Sequence, residues 1–312
     1  VVFVMNHRSN MDYVLVAFLA AERIALSYAV GEWARVWPLQ QLVRSMGAYF
    51  VRRNSGDSLY RMVLQRYVQM ATEGGVPQAV YPEGGLSVDA ALRTPKLGLL
   101  DYMLKGFRAD GERDLIFIPV GINYDRVLED RSLLRKLDAT APRAGLARSL
   151  LTAAGFVLNN LWLAVTGRWY RFGYACVNFG SPLSMRAYAA EHQLDFPRMD
   201  DAGRRLAVER FGGLLMERIA AMVPVLPVSL VATVFVRDAA VQLSELELKA
   251  AVSALMEKLA AAGAHIHVPR ADRDYAIGVG IRMLTLRRVV LERDGLYQAN
   301  PDDRALLAYY AN

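Results

Sequence analysis

The sequence predicts an α/β protein, a mixed sheet flanked by helices, followed by a mainly helical C-terminal appendage. Three observations carry this expectation. Apolar runs of strand length alternate with segments of helical spacing through the first half of the chain. Leu115 to Ile122 is the most strand-like run of all. At 312 residues the chain exceeds one average domain, so we expect an α/β domain over 1–198 and a helical, winged-helix-like region over 199–312. Val1 already lies in a strand, so a preceding N-terminal portion is expected.

The first element is the apolar run Val1 to Met5, which stops at Asn6, His7, Arg8, Ser9, Asn10, Met11 and Asp12 before apolar spacing resumes from Tyr13 to Leu19. This reads as a buried strand, a polar corner and a helix, and it sets His7 where open α/β sheets gather ligands. Four residues separate His7 from Asp12. The loop can fold back so that the carboxylate holds one ring nitrogen and the other takes a proton. Ser9 with Asp12 also reads as a capping box, which explains the same residues without chemistry.

Ala25 to Ala29 is a short expected strand. Trp33, Trp37 and Pro38 follow in Glu32 to Met46, an aromatic density that suits a membrane interface, a tunnel or ordinary core packing. Gly47 to Val51 is the next strand and ends in Arg52 and Arg53, whose side chains take opposite faces, so at most one turns to a site shared with His7. Ser58 to Glu73 has helical spacing and stops at Gly74 and Gly75. Gln78 to Tyr81 is a strand that runs into Pro82, Glu83, Gly84, Gly85, Leu86 and Ser87. The paired glycines either let backbone amides approach an anion or make a plain tight turn. An acid beside such an anion is costly unless it holds an arginine or a substrate hydroxyl. Arg93, Pro95 and Lys96 follow in a loop before an apolar helix from Leu97 to Gly106. Pro119 interrupts the strand Leu115 to Ile122 and predicts an edge, a bulge or a terminus beside a cleft.

Ser149 to Thr166 is apolar, with Arg143 and Arg148 before it and Arg168 and Arg171 after it. It falls just short of a spanning helix and holds Asn159 and Asn160, which favours a bilayer-surface or re-entrant segment over a core helix. Arg171 to Gly180 reads as a strand. Asp200 to Met222, Ser244 to Ala262 and Asp272 to Arg287 read as helices, and Val228 to Phe235 is apolar. Ser244 and Glu247 form a capping box, and Arg288 to Gln298 reads as a hairpin about Asp294 and Gly295.

The net charge is +6, and lysine occurs only at 96, 105, 136, 249 and 258 among 37 basic residues. An arginine excess fits phosphorylated substrates and an anionic membrane surface, although genome base composition produces it equally well. No basic recognition helix is concentrated anywhere, so no nucleic-acid partner is expected. Cys176, the only cysteine, lies in an apolar β-like run. That excludes a disulfide framework and a cysteine zinc site, and it fits a small buried hydrophobe in a reducing interior. His265 and His267 share one face of an extended run but lack a third ligand, so no metal is expected.

Four polar blocks therefore stand at strand ends in a fixed order: NHRSNMD, FVRR, YPEGGLS and FIPVGINYD. With VNFGSP at 177–182 and the ending LYQANPDDRALLAYYAN, the arrangement resembles the glycerolipid acyltransferase family over essentially the whole chain. The EGG form of the third block looks like the bacterial membrane-bound glycerol-3-phosphate 1-O-acyltransferase branch.

The resemblance implies a general base at His7, with Asp12 fixing its tautomer. It makes Arg53 the favoured phosphate ligand, with Phe50 and Val51 shaping the pocket. Glu83, Gly84, Gly85 and Ser87 would line the glycerol phosphate site, and Pro119 the acyl-donor side. One departure stands out, because Leu86 and Val88 occupy positions where the family commonly has arginine. Arg8, Arg52, Arg93 and Lys96 are the further candidates for phosphate contact.

The implied reaction is acyl transfer to the sn-1 hydroxyl of glycerol 3-phosphate at the cytoplasmic face of the inner membrane. Acyl-CoA or acyl-carrier protein would be a co-substrate, and no bound cofactor is implied. A thioester is already activated, so the chemistry needs only alcohol deprotonation, positioning and oxyanion stabilisation. Dihydroxyacetone phosphate or a lysophospholipid is the alternative acceptor. An acyl-serine hydrolase through Ser9 lacks the G-x-S-x-G elbow. A non-catalytic fragment binding lipid through Ser149 to Thr166 is the alternative outside enzymology.

Overall fold

A computed structural model of the chain describes residues 1–20, 26–31, 35, 37, 39–45, 47–52, 55–135, 173–238 and 240–312. The apolar segment 149–166 and Arg53 lie outside the described residues. The chain forms two compact units, one of residues 1–86, 92–122 and 177–223, the other of 87–91, 123–176 and 224–312.

The first unit is built on a sheet of β1 (Val2–Met5), β2 (Ser27–Gly31), β3 (Ala48–Val51), β4 (Gln78–Val80), β5 (Ile116–Tyr124), β6 (Ala175–Phe179) and β7 (Leu183–Ser184). Their order is β3-β2-β4-β1-β5-β6, with β7 on β5. β1 pairs in parallel with β4 and β5, and β2 with β3 and β4, whereas β7 runs antiparallel to β5. The sheet is therefore mixed, as the alternation predicts. β1 is buried along its whole length, which explains its unbroken apolar run.

Helices α1 (Met11–Ala20), α2 (Leu39–Ser45), α3 (Ser58–Glu73) and α4 (Gly98–Lys105) connect these strands. α3 starts where the Asp57 carboxylate accepts the Leu59 and Tyr60 amides, and it ends at Gly74 as its spacing predicts. One core joins Val2, Val4, Val80 and Phe117 of the sheet to Val68, Leu104, Phe211 and Ile219 of the helices. Phe211 and Ile219 belong to α7 (Asp201–Met222), which follows α6 (Met185–Glu191). Arg204 of α7 is tied to Asp101 of α4 at 3.0 Å.

Pro119 departs from expectation. It is paired with Val4 in an interior strand, not at an edge. Its carbonyl accepts the Gly180 amide at 2.8 Å. Gly121, two residues on, lies so close to the Met222 main chain that no side chain fits there.

The second unit holds α5 (Asp130–Leu134), α8 (Pro227–Arg237), α9 (Glu245–Ala261), α10 (Arg273–Leu286) and α11 (Arg304–Ala311). It also has an antiparallel sheet in which β10 (Leu296–Ala299) pairs with β8 (Gln242–Ser244) and β9 (Val290–Arg293). The Ser244–Glu247 capping box is formed, and Asp294 and Gly295 turn the hairpin with φ of 52° and 77°. The run Val228 to Phe235 is helical, because Pro227 at its first turn and apolar partners on α10 and α11 suit a buried helix as well as a strand. Among the described residues no helix is long and apolar enough to cross a membrane.

Candidate active site

Because β1, β2, β3 and β4 run in parallel, their carboxyl ends open onto one edge of the sheet. That edge gathers three of the four polar blocks. His7 follows β1, Arg52 follows β3 and Glu83 follows β4.

Asp12, in the first turn of α1, is fully buried. Its Oδ2 lies 2.9 Å from His7 Nδ1 and also accepts the Arg8 and Ser9 amides at 2.8 and 3.1 Å. Ser9 Oγ in turn accepts the Met11 amide at 3.1 Å. The capping and catalytic readings thus share one carboxylate. The helix start fixes the acid that orients the ring. With Nδ1 bonded to the carboxylate, His7 Nε2 is the acceptor, and the Tyr13 hydroxyl lies 3.3 Å from it.

The ring is held from other directions as well. Tyr81 lies tilted against it at 4.4 Å between centroids, and Tyr13 meets it edge-on at 5.2 Å. Tyr13 also stacks on Tyr28, whose hydroxyl is buried without a hydrogen-bond partner among the described residues and whose pKa burial pushes up to about 12. Asn6 fixes the strand end by exchanging two hydrogen bonds with the Ile122 main chain, at 2.8 and 2.9 Å.

The Glu83 carboxylate is engaged by main-chain amides. Its Oε1 accepts the His7 amide at 2.9 Å and its Oε2 the Arg93 amide at 3.2 Å. Burial raises its pKa, while those two amides and the charges of His7 and Arg8 oppose the rise. The acid therefore ties the third block to the main chain of the first.

A cavity of about 340 Å³ opens beside these groups. His7, Tyr13, Tyr81, Gly84, Gly85, Val51, Arg52, Arg61 and Lys96 are among its walls, and no carboxylate lines it among the described residues. The lining is electropositive and suits an anionic ligand. Gly84 has φ of +66°, and a Cβ there would come within 2.6 Å of the Lys96 side chain.

Other candidates lie apart from the walls. Phe50 has the Arg35 and Arg44 guanidinium groups over its ring at 5.3 and 5.6 Å. The Ser87 hydroxyl donates to Asp89 and the Ala91 carbonyl. Phe50, Ser87, Pro119, Arg8 and Arg93 do not line the cavity.

Residues 1–123 match the acyltransferase family model, and residues 160–312 match the model of the glycerol-3-phosphate acyltransferase C-terminal region. A glycerol-3-phosphate acyltransferase of Xanthomonas axonopodis pv. citri is 28% identical over all of this chain and 35% of its own length. Along its whole length the chain is therefore similar to glycerol-3-phosphate acyltransferases. Proteins of the same name from Alteromonas mediterranea and Pseudomonas paraeruginosa are 26% and 30% identical over 82% and 64% of this chain, and 31% and 23% of theirs. The chain thus spans about a quarter to a third of the length of these relatives.

Sequence reasoning missed Tyr13, Tyr60, Arg61 and Tyr81 as walls of the site. A usable signal was present, since Tyr13 directly follows Asp12 and Tyr81 directly follows β4. Among the described residues no cluster fit to hold a metal occurs. Cys176 is half-buried, and its thiol is raised to about 11 by burial and then by Asp125, which argues against a nucleophile.

Proposed function

We propose that this chain carries the acyl-transfer centre of a glycerol-3-phosphate acyltransferase, moving an acyl group from a thioester to the sn-1 hydroxyl of glycerol 3-phosphate. The carrying observation is the buried His7–Asp12 pair at 2.9 Å, with the imidazole lining an electropositive cavity. The relatives' names supply the acceptor.

In this reading His7 Nε2 removes the hydroxyl proton as the acceptor oxygen attacks the thioester carbonyl. Asp12 stabilises the imidazolium that forms. Collapse of the tetrahedral intermediate expels the thiolate, which takes the proton back from His7 and leaves an ester and a free thiol. The Tyr13 hydroxyl, 3.3 Å from Nε2, stands where the acceptor hydroxyl would bind. Acyl-CoA or acyl-carrier protein serves as donor, and no bound cofactor is needed.

The place of action is the cytoplasmic face of the inner membrane. The outer face of α3 exposes Leu59, Met62, Val63 and Met70 beside Arg66, an amphipathic combination that suits an anionic bilayer surface.

The test is purified protein in lipid or detergent with radiolabelled glycerol 3-phosphate and palmitoyl-CoA or palmitoyl-acyl-carrier protein. Labelled 1-acyl-glycerol 3-phosphate is the expected product. Turnover restricted to dihydroxyacetone phosphate or a lysophospholipid would reassign the acceptor, and absence of transfer from either donor to any of them would refute the reading.

A further inference from the structure

We propose that Lys96, reaching across the Gly84–Gly85 corner, is the phosphate-binding residue for the acceptor in this cavity. The inference rests on the acceptor proposed above and assigns a specificity-determining residue within that site.

A phosphate bound beside His7 needs a cation, and the corner loop from Tyr81 to Ser87 contains none. The described cations in the cavity wall are Arg52, Arg61 and Lys96. Arg52 lies over the Tyr60 ring at 5.6 Å, and Arg61 donates to the Gly56 carbonyl at 3.3 Å, so both are engaged at the start of α3. Among the described residues the Lys96 ammonium group makes no ion pair and no hydrogen bond.

Its backbone is nevertheless fixed. The Lys96 amide donates to the Pro82 carbonyl at 2.7 Å, which clips the chain at 96 onto the residue before Glu83. The lysine stem then lies against Gly84, where a Cβ would fall 2.6 Å from its Cδ. A glycine with positive φ at 84 therefore makes room for the lysine to cross the corner. Lys96, Gly84 and Gly85 line the same cavity as His7, so an anion held by the ammonium group sits in the chamber that holds the base. The arrangement also accounts for Leu86, because the cation reaches this corner from ten residues further along the chain.

The test measures steady-state kinetics of wild type, Lys96→Gln, Lys96→Met and Lys96→Arg. We expect both neutral variants to raise KM for glycerol 3-phosphate roughly 10- to 100-fold, while kcat at saturation changes less than about threefold. Lys96→Arg should stay within about fivefold of wild-type KM. Glycerol, used as an acceptor without phosphate, should lose its disadvantage relative to glycerol 3-phosphate in the neutral variants.

Acyl-CoA also carries phosphate, so its KM is measured in parallel. A rise confined to the donor, or no rise in either, overturns the proposal, as does equal loss of kcat with both acceptors. Should wild type transfer no acyl group, the proposed function fails on its own. Calorimetric binding of glycerol 3-phosphate to wild type and Lys96→Met then decides the lysine's role, with equal affinities refuting it.

Discussion

Asp12 and Asp125 are both buried carboxylates that follow a strand and accept main-chain amides, but they end in different surroundings. Asp12 accepts the Arg8 and Ser9 amides and has a lone pair directed at the His7 ring. Asp125 spends Oδ1 on the Val228 amide at 3.0 Å and Oδ2 on the Tyr174 amide at 2.9 Å. Neither of these partners is an imidazole; Asp125 clips the start of α8 and the segment at 173–174 within the second unit. A buried acid becomes chemical when its remaining lone pair meets a titrating ring, and it stays structural when the main chain takes both oxygens.

The most severe test of this contrast is His7→Ala. Removing the base should lower kcat by about 10²–10⁴-fold while the melting temperature stays near wild type. Unchanged turnover would reduce the His7–Asp12 pair to a helix cap. Asp12→Asn comes next, with an expected loss of about 10²-fold in kcat, because the amide no longer stabilises the imidazolium.

Asp125→Asn should leave kcat alone and change the pH dependence of stability. Burial raises the folded-state pKa of Asp125 from 3.8 to about 6. The folded state therefore binds more protons between those values. The group's contribution to stability is fully present below about pH 4 and is lost as pH climbs through 6, by on the order of 3 kcal/mol at most. Denaturant unfolding across that window should fall in wild type and run flatter in the variant; parallel curves would show that Asp125 does not titrate there.

Glu83→Gln sharpens the comparison from the other side, since each Glu83 oxygen holds one backbone amide. The glutamine NH₂ faces one of those donors, so a destabilisation of ~1–3 kcal/mol by chemical denaturation is expected. A stability equal to wild type would mean that the corner does not depend on these bonds.

The elements legible in the sequence were those set by local chemistry. α3 was bounded by its apolar spacing and Gly74, α9 by the Ser244–Glu247 box, and the hairpin by Asp294 and Gly295. His7 and Asp12 were legible as a pair because only four residues separate them and a strand-to-helix corner folds them together. Features set by register between distant segments were not. Tyr81 reaches His7 only because β4 lies beside β1, and Pro119 is interior only because β5 is covered by both β1 and β6. The partners of Glu83 were not legible for the same reason, since its two amides come from positions 7 and 93. The apolar run at 228–235 fits a buried helix and a buried strand alike, so spacing alone did not separate them.

β1 is the innermost ribbon of its sheet, and His7 begins two residues past its end. Swinging the imidazole away would mean peeling that ribbon from two neighbours, not loosening a surface loop. The amides of residues 2–5 should accordingly be among the slowest in the first unit to exchange with deuterium, and the histidine inherits its steadiness from them.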